Sequence, residues 1–368
     1  MFSLLIKPSG SDCDLNCGYC FYKNRPSLTG SSKKQRMSED ILEKLIADFL
    51  SLGFQGSVFA FQGGEPTLMG LDFYKKVVQL QKKHSPPGQI VSNSLQTNAV
   101  LLDDDWCQFL HDNQFLVGIS LDGPKKFHDH YRLDHSGKGS FDKVIKAIDT
   151  CKKHKVEYNI LTLLNDKNVE HPDELFDFFA EMQVEFLQFI PCVETDSTTG
   201  KVADFSITPA QYGDFLCRIF DRWRDYEQGK LHIRDFDSIL SFCLRGSHTI
   251  CTFSKKCSQY IVVEHNGDVF CCDFFVEPKW RLGNILETPT GELAGSEKKR
   301  IFARNKQKLC NKCLICQHLD ICRGGCVKDR KKMDQSVDKL SYFCESYKRF
   351  FDYSIPKFLQ IAANIKTG

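Results

Sequence analysis

Three cysteines stand close together near the start of the chain, in the stretch SDCDLNCGYCFY at residues 11–22. Cys13, Cys17 and Cys20 have the spacing C-x3-C-x2-C, and an aromatic residue, Tyr19, precedes the last of them. A structural zinc site uses four protein ligands, and a disulfide uses two thiols. Three thiolates in one short loop therefore indicate a metal centre with an open position, such as a 4Fe–4S cluster with one iron not bound by protein. A zinc site with a distant fourth ligand is the alternative.

A second and larger group of cysteines lies in the last third of the chain. In the run LCNKCLICQHLDICRGGCVK, residues 309–328, the last four cysteines have the spacing C-x2-C-x5-C-x3-C; they are Cys313, Cys316, Cys322 and Cys326. Upstream, Cys257 is followed by Gly267 and Cys272, and Cys344 lies downstream. Thiolates are soft ligands that suit iron–sulfur clusters as well as zinc.

The cysteine content bears on the cellular compartment. The 368 residues include 18 cysteines, and the N-terminal apolar run MFSLLIK is too short for a signal peptide. No apolar run approaches the length of a membrane span. We therefore expect a cytoplasmic protein, in which clustered cysteines bind metal more often than they form disulfides. Five isolated cysteines are predicted to be small buried apolar residues: Cys107, Cys151, Cys192, Cys217 and Cys243.

The charge balance excludes some partners. Lys and Arg number 49 and Asp and Glu number 47, so the formal net charge is +2. This balance indicates neither a nucleic-acid partner nor a membrane partner. Hydrophobic residues make up 42% and charged residues 26%, as in ordinary globular proteins.

The elements that must position the cysteines alternate between strand-like and helix-like segments. The predicted strands are SLLIK (3–7), SVFAF (57–61), IVSNSLQ (90–96), FLVGISLD (115–122), EYNILTLL (157–164) and EFLQFIP (185–191). The predicted helices are 38–50, with Ser38 as N-cap, and 71–83, 103–112, 141–154 and 172–182. Six such units predict a parallel sheet in an α/β fold, a partial (β/α)6 barrel with its chemistry at the C-terminal ends of the strands.

The pattern changes after about residue 230. We predict a barrel domain over 1–230, a linker over 231–250, and a smaller, loop-rich iron–sulfur domain over 251–368 that ends in a helix.

The three-cysteine loop resembles that of the radical S-adenosylmethionine (SAM) enzymes, and so does FQGGEPTL (61–68) at the end of the second strand. In that family a GGEP-like turn binds the methionine end of SAM. The resemblance implies that the backbone of Gly63 and Gly64 and the carboxylate of Glu65 receive the amino group of SAM. Two glycines allow close backbone approach, and a carboxylate suits an ammonium.

Polar residues at other strand ends fit the same resemblance. It implies SAM contacts for Ser120 and Arg132, and substrate contacts for Gln96, Asn98 and Asp122. Hydrogen bonding within the barrel rim is the alternative for each of them. The nearby histidines are expected to lie in a solvated loop rather than to bind zinc; they are His128, His130 and His135.

The tail cysteines resemble the SPASM extension of peptide-maturing radical SAM enzymes. That resemblance assigns one auxiliary 4Fe–4S cluster to Cys251, Cys257, Cys272 and Cys326. It assigns a second one to Cys313, Cys316, Cys322 and Cys344. With the cluster on the first loop, three clusters are implied. Cys272 is preferred over its neighbour Cys271 because Cys272 keeps the Gly267-x4-Cys spacing, although the choice between the two remains open.

Nearly the whole chain resembles the anaerobic sulfatase-maturating enzymes. The segments that carry this resemblance are FAFQGGEPTL, NSLQTN, FLQFI, GDVFCCDFF and KWRLGN. It implies oxidation of a sulfatase cysteine or serine, within Cys/Ser-x-Pro-x-Arg, to formylglycine. The 5′-deoxyadenosyl radical would abstract hydrogen from Cβ of that residue, and Asp273 would act as the base. Tyr22 on the cofactor side and Gln62 on the substrate side are further candidate contacts. The implied electron donor is a flavodoxin or ferredoxin, in an anaerobic setting.

Three other functions remain open at this stage. A peptide maturase that forms a thioether or another crosslink often carries an N-terminal peptide-binding domain, whereas only about a dozen residues precede Cys13 here. A cluster-carrying electron-transfer or scaffold protein would have no need of the GGEP turn. A zinc-binding interaction protein would be colourless, whereas iron–sulfur proteins are brown.

Overall fold

The computed structural model of the protein describes residues 2–24, 34–196, 198–226, 230–334 and 339–367. The chain folds into two compact units, each built from separate segments. Unit 1 comprises residues 1–120, 128–158 and 258–303; unit 2 comprises residues 121–127, 159–257 and 304–368. The domain boundaries that the sequence predicted at residues 230 and 251 stay predictions.

The six strands predicted from the sequence all form, with ends within two residues of those expected. The strands in the described part of the chain are β1 Phe2–Lys7, β2 Gly56–Phe61, β3 Ile90–Thr97, β4 Leu116–Ser120, β5 Tyr158–Leu164, β6 Phe186–Pro191, β7 His232–Ile233, β8 Tyr260–Glu264, β9 Asp268–Phe270 and β10 Arg281–Asn284. A parallel sheet therefore forms the core of a mixed α/β fold, as predicted.

Unit 1 contains a sheet with the strand order β10-β9-β8-β1-β2-β3-β4. Strands β8, β1, β2, β3 and β4 are parallel, whereas β9 and β10 are antiparallel to their neighbours. Parallel strands bring their carboxyl ends to one edge, so the loops after β1, β2 and β3 lie close together. In unit 2, β5, β6 and β7 pair in parallel.

The five predicted helices form as well. The helices in the described residues are α1 Glu39–Leu50, α2 Leu71–His84, α3 Asp104–Asp112, α4 Lys125–Tyr131, α5 Phe141–Lys153, α6 Pro172–Glu181, α7 Pro209–Asp225, α8 Arg234–Arg245, α9 Thr290–Gly295, α10 Glu297–Arg304, α11 Asn311–Leu314, α12 Leu319–Cys322, α13 Val327–Asp334 and α14 Cys344–Thr367.

Helix α1 shows how the sequence builds the helical layer of unit 1. Ser38 is its N-cap, as predicted, and the Ser38 hydroxyl accepts a hydrogen bond from the backbone N–H of Ile41 at 3.3 Å. Leu42, Leu45 and Phe49 recur at helical spacing and are completely buried. Burial of each such side chain contributes about 1.5–3 kcal/mol. This apolar face holds the helix in place.

An aromatic core holds the helices of unit 2 together. The Phe220 ring of α7 lies 5.7 Å from the ring of Phe236 in α8 and 4.7 Å from that of Phe358 in α14. All three side chains are completely buried. Helix α14 has 24 residues and lies at the end of the described part of the chain, where the sequence predicted a helix.

Some expectations about single residues change in the structure. Cys107, Cys151 and Cys192 are buried as predicted, but Cys217 and Cys243 are only half-buried. His128 lies in α4 rather than in a solvated loop, and it is completely buried against the hydroxyl of Ser140 at 2.9 Å. No helix in the described ranges combines the length and the apolar character needed to cross a membrane.

Candidate active site

The three-cysteine loop follows β1 and is pinned to the segment after α4. The backbone N–H of Asn16 donates to the carbonyl of Leu133 at 2.7 Å, and that of Gly18 donates to the carbonyl of Tyr131 at 3.0 Å. At Gly18 a Cβ atom would lie 2.9 Å from the Tyr131 ring, so glycine permits this close approach. The loop is therefore held by contacts of its own backbone.

The thiols of this loop are shielded from water. Cys17 is buried, and Cys13 and Cys20 are half-buried. Burial raises the pKa of the Cys13 thiol, and the nearby Glu65 carboxylate adds to this effect, while a hydrogen bond from the Leu15 N–H opposes it. The loop thus places three thiols in the low-polarity surroundings in which iron–sulfur clusters are bound.

The turn after β2 packs directly on the cysteine loop. The N–H of Gly64 donates to the carbonyl of Gly10 at 2.8 Å, and the N–H of Glu65 donates to the carbonyl of Asp12 at 2.7 Å. A Cβ atom at Gly64 would lie 2.0 Å from the Asp12 carbonyl oxygen, and Gly63 has a φ of 122°. Only glycine fits these two positions, which explains the GG pair in the motif.

Glu65 holds its own turn against the end of β3. Its carboxylate accepts hydrogen bonds from the backbone N–H and hydroxyl of Thr67, from the hydroxyl of Thr97 and from the N–H of Asn98, at 2.6–2.9 Å. The side chain is completely buried, and burial raises its pKa to about 7 although these bonds oppose the shift. Three of these bonds go to Oε1 and one goes to Oε2. Glu65 therefore clamps the turn to the end of β3, and its contact with the amino group of SAM stays a prediction.

Asp273 lies at the centre of a buried polar network in unit 1. Its side chain is 7% exposed, and Oδ2 accepts hydrogen bonds from the Tyr22 hydroxyl at 2.8 Å and from the Gln62 amide at 3.2 Å. Burial, followed by the Asp273 charge, raises the pKa of Tyr22 well above its usual value, so Tyr22 stays a hydrogen-bond donor. The structure thus brings together three residues that the sequence singled out separately.

Two further members of this network were missed from the sequence. The Lys7 ammonium lies 2.6 Å from Oδ1 of Asp273 and 2.9 Å from Oε1 of Glu264. Burial alone would lower the pKa of Lys7, but the two carboxylates raise it overall. Lys7 and Glu264 are the last residues of the apolar strands SLLIK and YIVVE. A charged residue at the end of an apolar strand was the sequence signal that could have identified both as site residues.

The two adjacent cysteines next to Asp273 differ in their surroundings. Cys271 is 1% exposed, and burial raises its pKa to about 11. Cys272 is half-buried, and its Sγ lies 3.2 Å from the hydroxyl of Tyr260. The choice of Cys272 as the cluster ligand, which the sequence indicated, stays a prediction.

Four other residues that the sequence singled out form two groups: two contact the cysteine loop, and two lie in strands β3 and β4. Asn98 lies beside the cysteine loop, where its amide donates to Asp14 Oδ1 at 2.7 Å and contacts Cys13 Sγ at 3.7 Å. Arg132 stacks over the Tyr19 ring, 5.5 Å from the ring centroid. Gln96 and Ser120 are half-buried residues of β3 and β4. These four residues all belong to unit 1.

Asp122 is buried and bonded to the backbone of a neighbouring strand. Its side chain is completely buried, and Oδ1 accepts a hydrogen bond from the backbone N–H of Leu163 in β5 at 3.0 Å. Oδ1 of the carboxylate therefore binds a backbone N–H group inside unit 2, and a contact of Asp122 with the substrate stays a prediction.

In unit 2, the four cysteines assigned to the second auxiliary cluster line one cavity of ≈ 530 Å³. They are Cys313, Cys316, Cys322 and Cys344. Burial raises the pKa of both Cys313 and Cys344, and the charge of Cys322 acts in the same direction on each of them. A shared cavity with four thiols fits the cluster that the SPASM resemblance implied.

Of the other auxiliary set, Cys251, Cys257 and Cys326 belong to unit 2, and Cys272 belongs to unit 1. The charges of the three cysteines in unit 2 all act on the buried ammonium of Lys306. In the described residues no three His, Cys, Asp or Glu side chains converge on the site of a single metal ion. Cluster ligands are spaced more widely, because each binds a different iron atom.

Comparisons with known proteins agree with this arrangement. Residues 8–179 match the Radical SAM superfamily, and residues 251–317 match SPASM, an iron-sulfur cluster-binding domain. The chain is 39% identical over 366 residues to the cysteine-type anaerobic sulfatase-maturating enzyme of Clostridium perfringens, with 99% of both chains covered. It is also 39% identical over 370 residues to the serine-type enzyme of Bacteroides thetaiotaomicron, with 96% of this chain and 89% of that one covered.

The solved structure of native anSMEcpe with bound AdoMet (SAM) and the Cp18Cys peptide has a TM-score of 0.92, with 39% identity and 99% of both chains covered. The fold, the cysteine loop and the family matches define a radical SAM enzyme with a SPASM domain. More particularly, the chain belongs to the family of anaerobic sulfatase-maturating enzymes.

Proposed function

We propose that this enzyme oxidises a cysteine or serine of a sulfatase, within a Cys/Ser-x-Pro-x-Arg segment, to formylglycine. The observation that carries the proposal is the buried carboxylate of Asp273, held by Tyr22, Gln62 and Lys7 and adjacent in sequence to Cys272. A fixed carboxylate in a dry site suits the removal of one proton from a substrate side chain.

The residues present fit the cofactors of this reaction. We propose that Cys13, Cys17 and Cys20 hold a 4Fe–4S cluster with one open iron, and that the backbone of Gly63 and Gly64 and the carboxylate of Glu65 receive the amino group of SAM. The eight tail cysteines would hold two more clusters, to give three in all. When bound, these groups supply a 5′-deoxyadenosyl radical that abstracts hydrogen from the substrate Cβ, and they accept the remaining electron.

Asp273 contributes the proton transfer. As the substrate is oxidised, its thiol or hydroxyl proton moves to the Asp273 carboxylate. A serine then becomes the aldehyde directly, whereas a cysteine becomes a thioaldehyde that water hydrolyses to the aldehyde and hydrogen sulfide. Tyr22 and Gln62 orient Oδ2 and Lys7 orients Oδ1, so the carboxylate is fixed before the substrate arrives.

The identity to cysteine-type and serine-type relatives is equal, at 39% each, and does not decide between the two targets. Both residues release one proton from the heteroatom on Cβ, so the same base serves either one. A small electron-transfer protein such as a flavodoxin or ferredoxin is the proposed electron donor, since the open cluster must be reduced in every turnover.

The test uses two synthetic peptides that differ only in the target residue, one with Cys-x-Pro-x-Arg and one with Ser-x-Pro-x-Arg. Each is incubated without oxygen with the reconstituted enzyme, SAM and a strong reductant, and mass spectrometry follows the side chain. The proposal expects conversion to the aldehyde with stoichiometric 5′-deoxyadenosine, and the two rates rank the targets. A peptide with Ala at the target position is the control. Deoxyadenosine without any aldehyde from either peptide would contradict the proposal.

A further inference from the structure

Lys306 is a buried cation next to the ligands of an auxiliary cluster. Lys306 lies in the short turn Asn305–Gln307, and it is 1% exposed. The ammonium donates to the carbonyl oxygen of Thr252 at 2.5 Å and to that of Gly325. Thr252 follows Cys251 and Gly325 precedes Cys326 in the sequence. The ammonium therefore sits between two backbone segments that each present a predicted cluster ligand.

The negative groups close to the Lys306 ammonium are cysteine thiols. Within the described part of the chain, Lys306 forms no ion pair with a carboxylate, and the negative groups that act on it most strongly are Cys326, Cys257 and Cys251. Burial lowers its pKa most strongly, and these three thiols act in the opposite direction. A buried ammonium is costly unless a negative charge lies nearby. A cluster on these thiolates would supply that charge.

A second buried cation, Arg330, lies in the same region. Arg330 is completely buried, and its guanidinium donates to the carbonyls of Gly324 at 2.9 Å and Lys308 at 2.7 Å. The cysteines that act on Arg330 come from both predicted sets and include Cys326 and Cys313. An arginine keeps its charge in a buried site. Lys306 also acts on Cys322 of the second set, but the two carbonyl groups to which its ammonium donates adjoin Cys251 and Cys326 of the first set.

We infer that Lys306 sets the reduction potential of the auxiliary cluster assigned to Cys251, Cys257, Cys272 and Cys326. A cluster with four thiolates is negatively charged, and reduction adds one more negative charge. A fixed ammonium in a low-dielectric site stabilises the reduced state more than the oxidised state, which raises the potential. Lys306 then helps this cluster to accept the electron that leaves the substrate; this last step rests on the proposed function.

A purely structural role for Lys306 predicts different behaviour. If the ammonium only tied the segments at Thr252 and Gly325 together, its removal would loosen the site and lower the iron content. The potential of any cluster that still formed would not depend on the charge. Lys306→Gln separates the two roles, because glutamine keeps N–H donors toward the carbonyls and lacks the charge. Lys306→Arg keeps the charge.

The experiment measures iron content and the cluster midpoint potentials in the full-length reconstituted enzyme, by redox titration followed by electron paramagnetic resonance. The exposed Lys308→Met variant is the matched control. We expect Lys306→Gln and Lys306→Met to shift one titrating component to lower potential with iron retained. Lys306→Arg and Lys308→Met should leave all components in place.

Unchanged potentials in Lys306→Gln with full iron would overturn the inference. Loss of iron in both Lys306→Gln and Lys306→Met would also overturn it, in favour of the structural role. The redox titration needs no peptide, so it is independent of the test of formylglycine formation. If Lys306→Gln shifts the potential but the wild type forms no aldehyde, the proposed function is contradicted and the role of Lys306 is not.

Discussion

The ammonium of Lys7 lies 2.6 Å from Oδ1 of Asp273, and both side chains are less than a tenth exposed. These residues are far apart in the sequence, and the sheet of unit 1 brings them together. Lys7 is the register partner of Glu264 in the parallel pair β1–β8, and Asp273 follows shortly after β9. The cation between two carboxylates holds the Asp273 side chain in a fixed position.

Replacement of Lys7 by methionine should be strongly destabilising. It leaves Glu264 and Asp273 buried without their shared cation, and loss of one partner of a buried ion pair costs about 3–5 kcal/mol. Anaerobic denaturant unfolding measures this change. Lys75→Met is the control, because Lys75 forms an exposed pair with Asp72 and its loss should change little. Equal stability of Lys7→Met and the wild type would refute a structural contribution of this pair.

The ligand choice between the adjacent cysteines is tested by iron analysis of the purified, reconstituted variants. Cys272→Ala should lose one cluster, whereas Cys271→Ala should retain full iron, because the Cys271 side chain is packed inside unit 1. The opposite result would move the ligand to Cys271 and shift the register of the motif by one residue.

Replacement of Gly64 by alanine should disrupt the turn between β2 and α2. The added Cβ would meet the Asp12 carbonyl oxygen at 2.0 Å, so either the turn or the cysteine loop must move. We expect loss of SAM binding in equilibrium dialysis and loss of 5′-deoxyadenosine formation. Gly295→Ala is the matched control, since no atom lies within 4 Å of its added Cβ. Normal SAM binding by Gly64→Ala would show that this turn does not form the SAM site.

Glu65→Gln distinguishes a clamp from a SAM ligand. The glutamine amide would place donors opposite the donors of Thr67, Thr97 and Asn98, and each buried group left without a partner costs about 1–3 kcal/mol. We therefore expect lower stability of the chain in the absence of SAM, measured by thermal unfolding. If stability were unchanged and only SAM affinity fell, Glu65 would be a SAM ligand after all.

Local spacing explains what could be predicted from the sequence. The alternation of apolar strands and amphipathic helices predicted six strands and five helices, because each signal lies within one element. The cysteines of the first loop and of the second auxiliary set are close in sequence, and the structure places the second set around one cavity.

Long-range pairing explains what was missed. Lys7 and Glu264 are 257 residues apart, and only the register of β1 against β8 makes them neighbours. The family resemblance implied ligand contacts for Glu65 and Asp122, and these contacts stay predictions. The sequence did not indicate that backbone N–H groups of Asn98 and Leu163 donate to these two carboxylates.

The central claim is that Asp273 takes the substrate proton, and Asp273→Asn tests it most directly. An amide is nearly the same size as the carboxylate but does not accept the proton. Loss of a positioned acid–base group slows a reaction by roughly 10²–10⁴-fold. Iron content, 5′-deoxyadenosine and peptide aldehyde are measured in the same anaerobic reaction with the Cys-x-Pro-x-Arg peptide. The account predicts full iron and continued deoxyadenosine formation with little aldehyde; a normal yield of aldehyde would remove Asp273 from the mechanism.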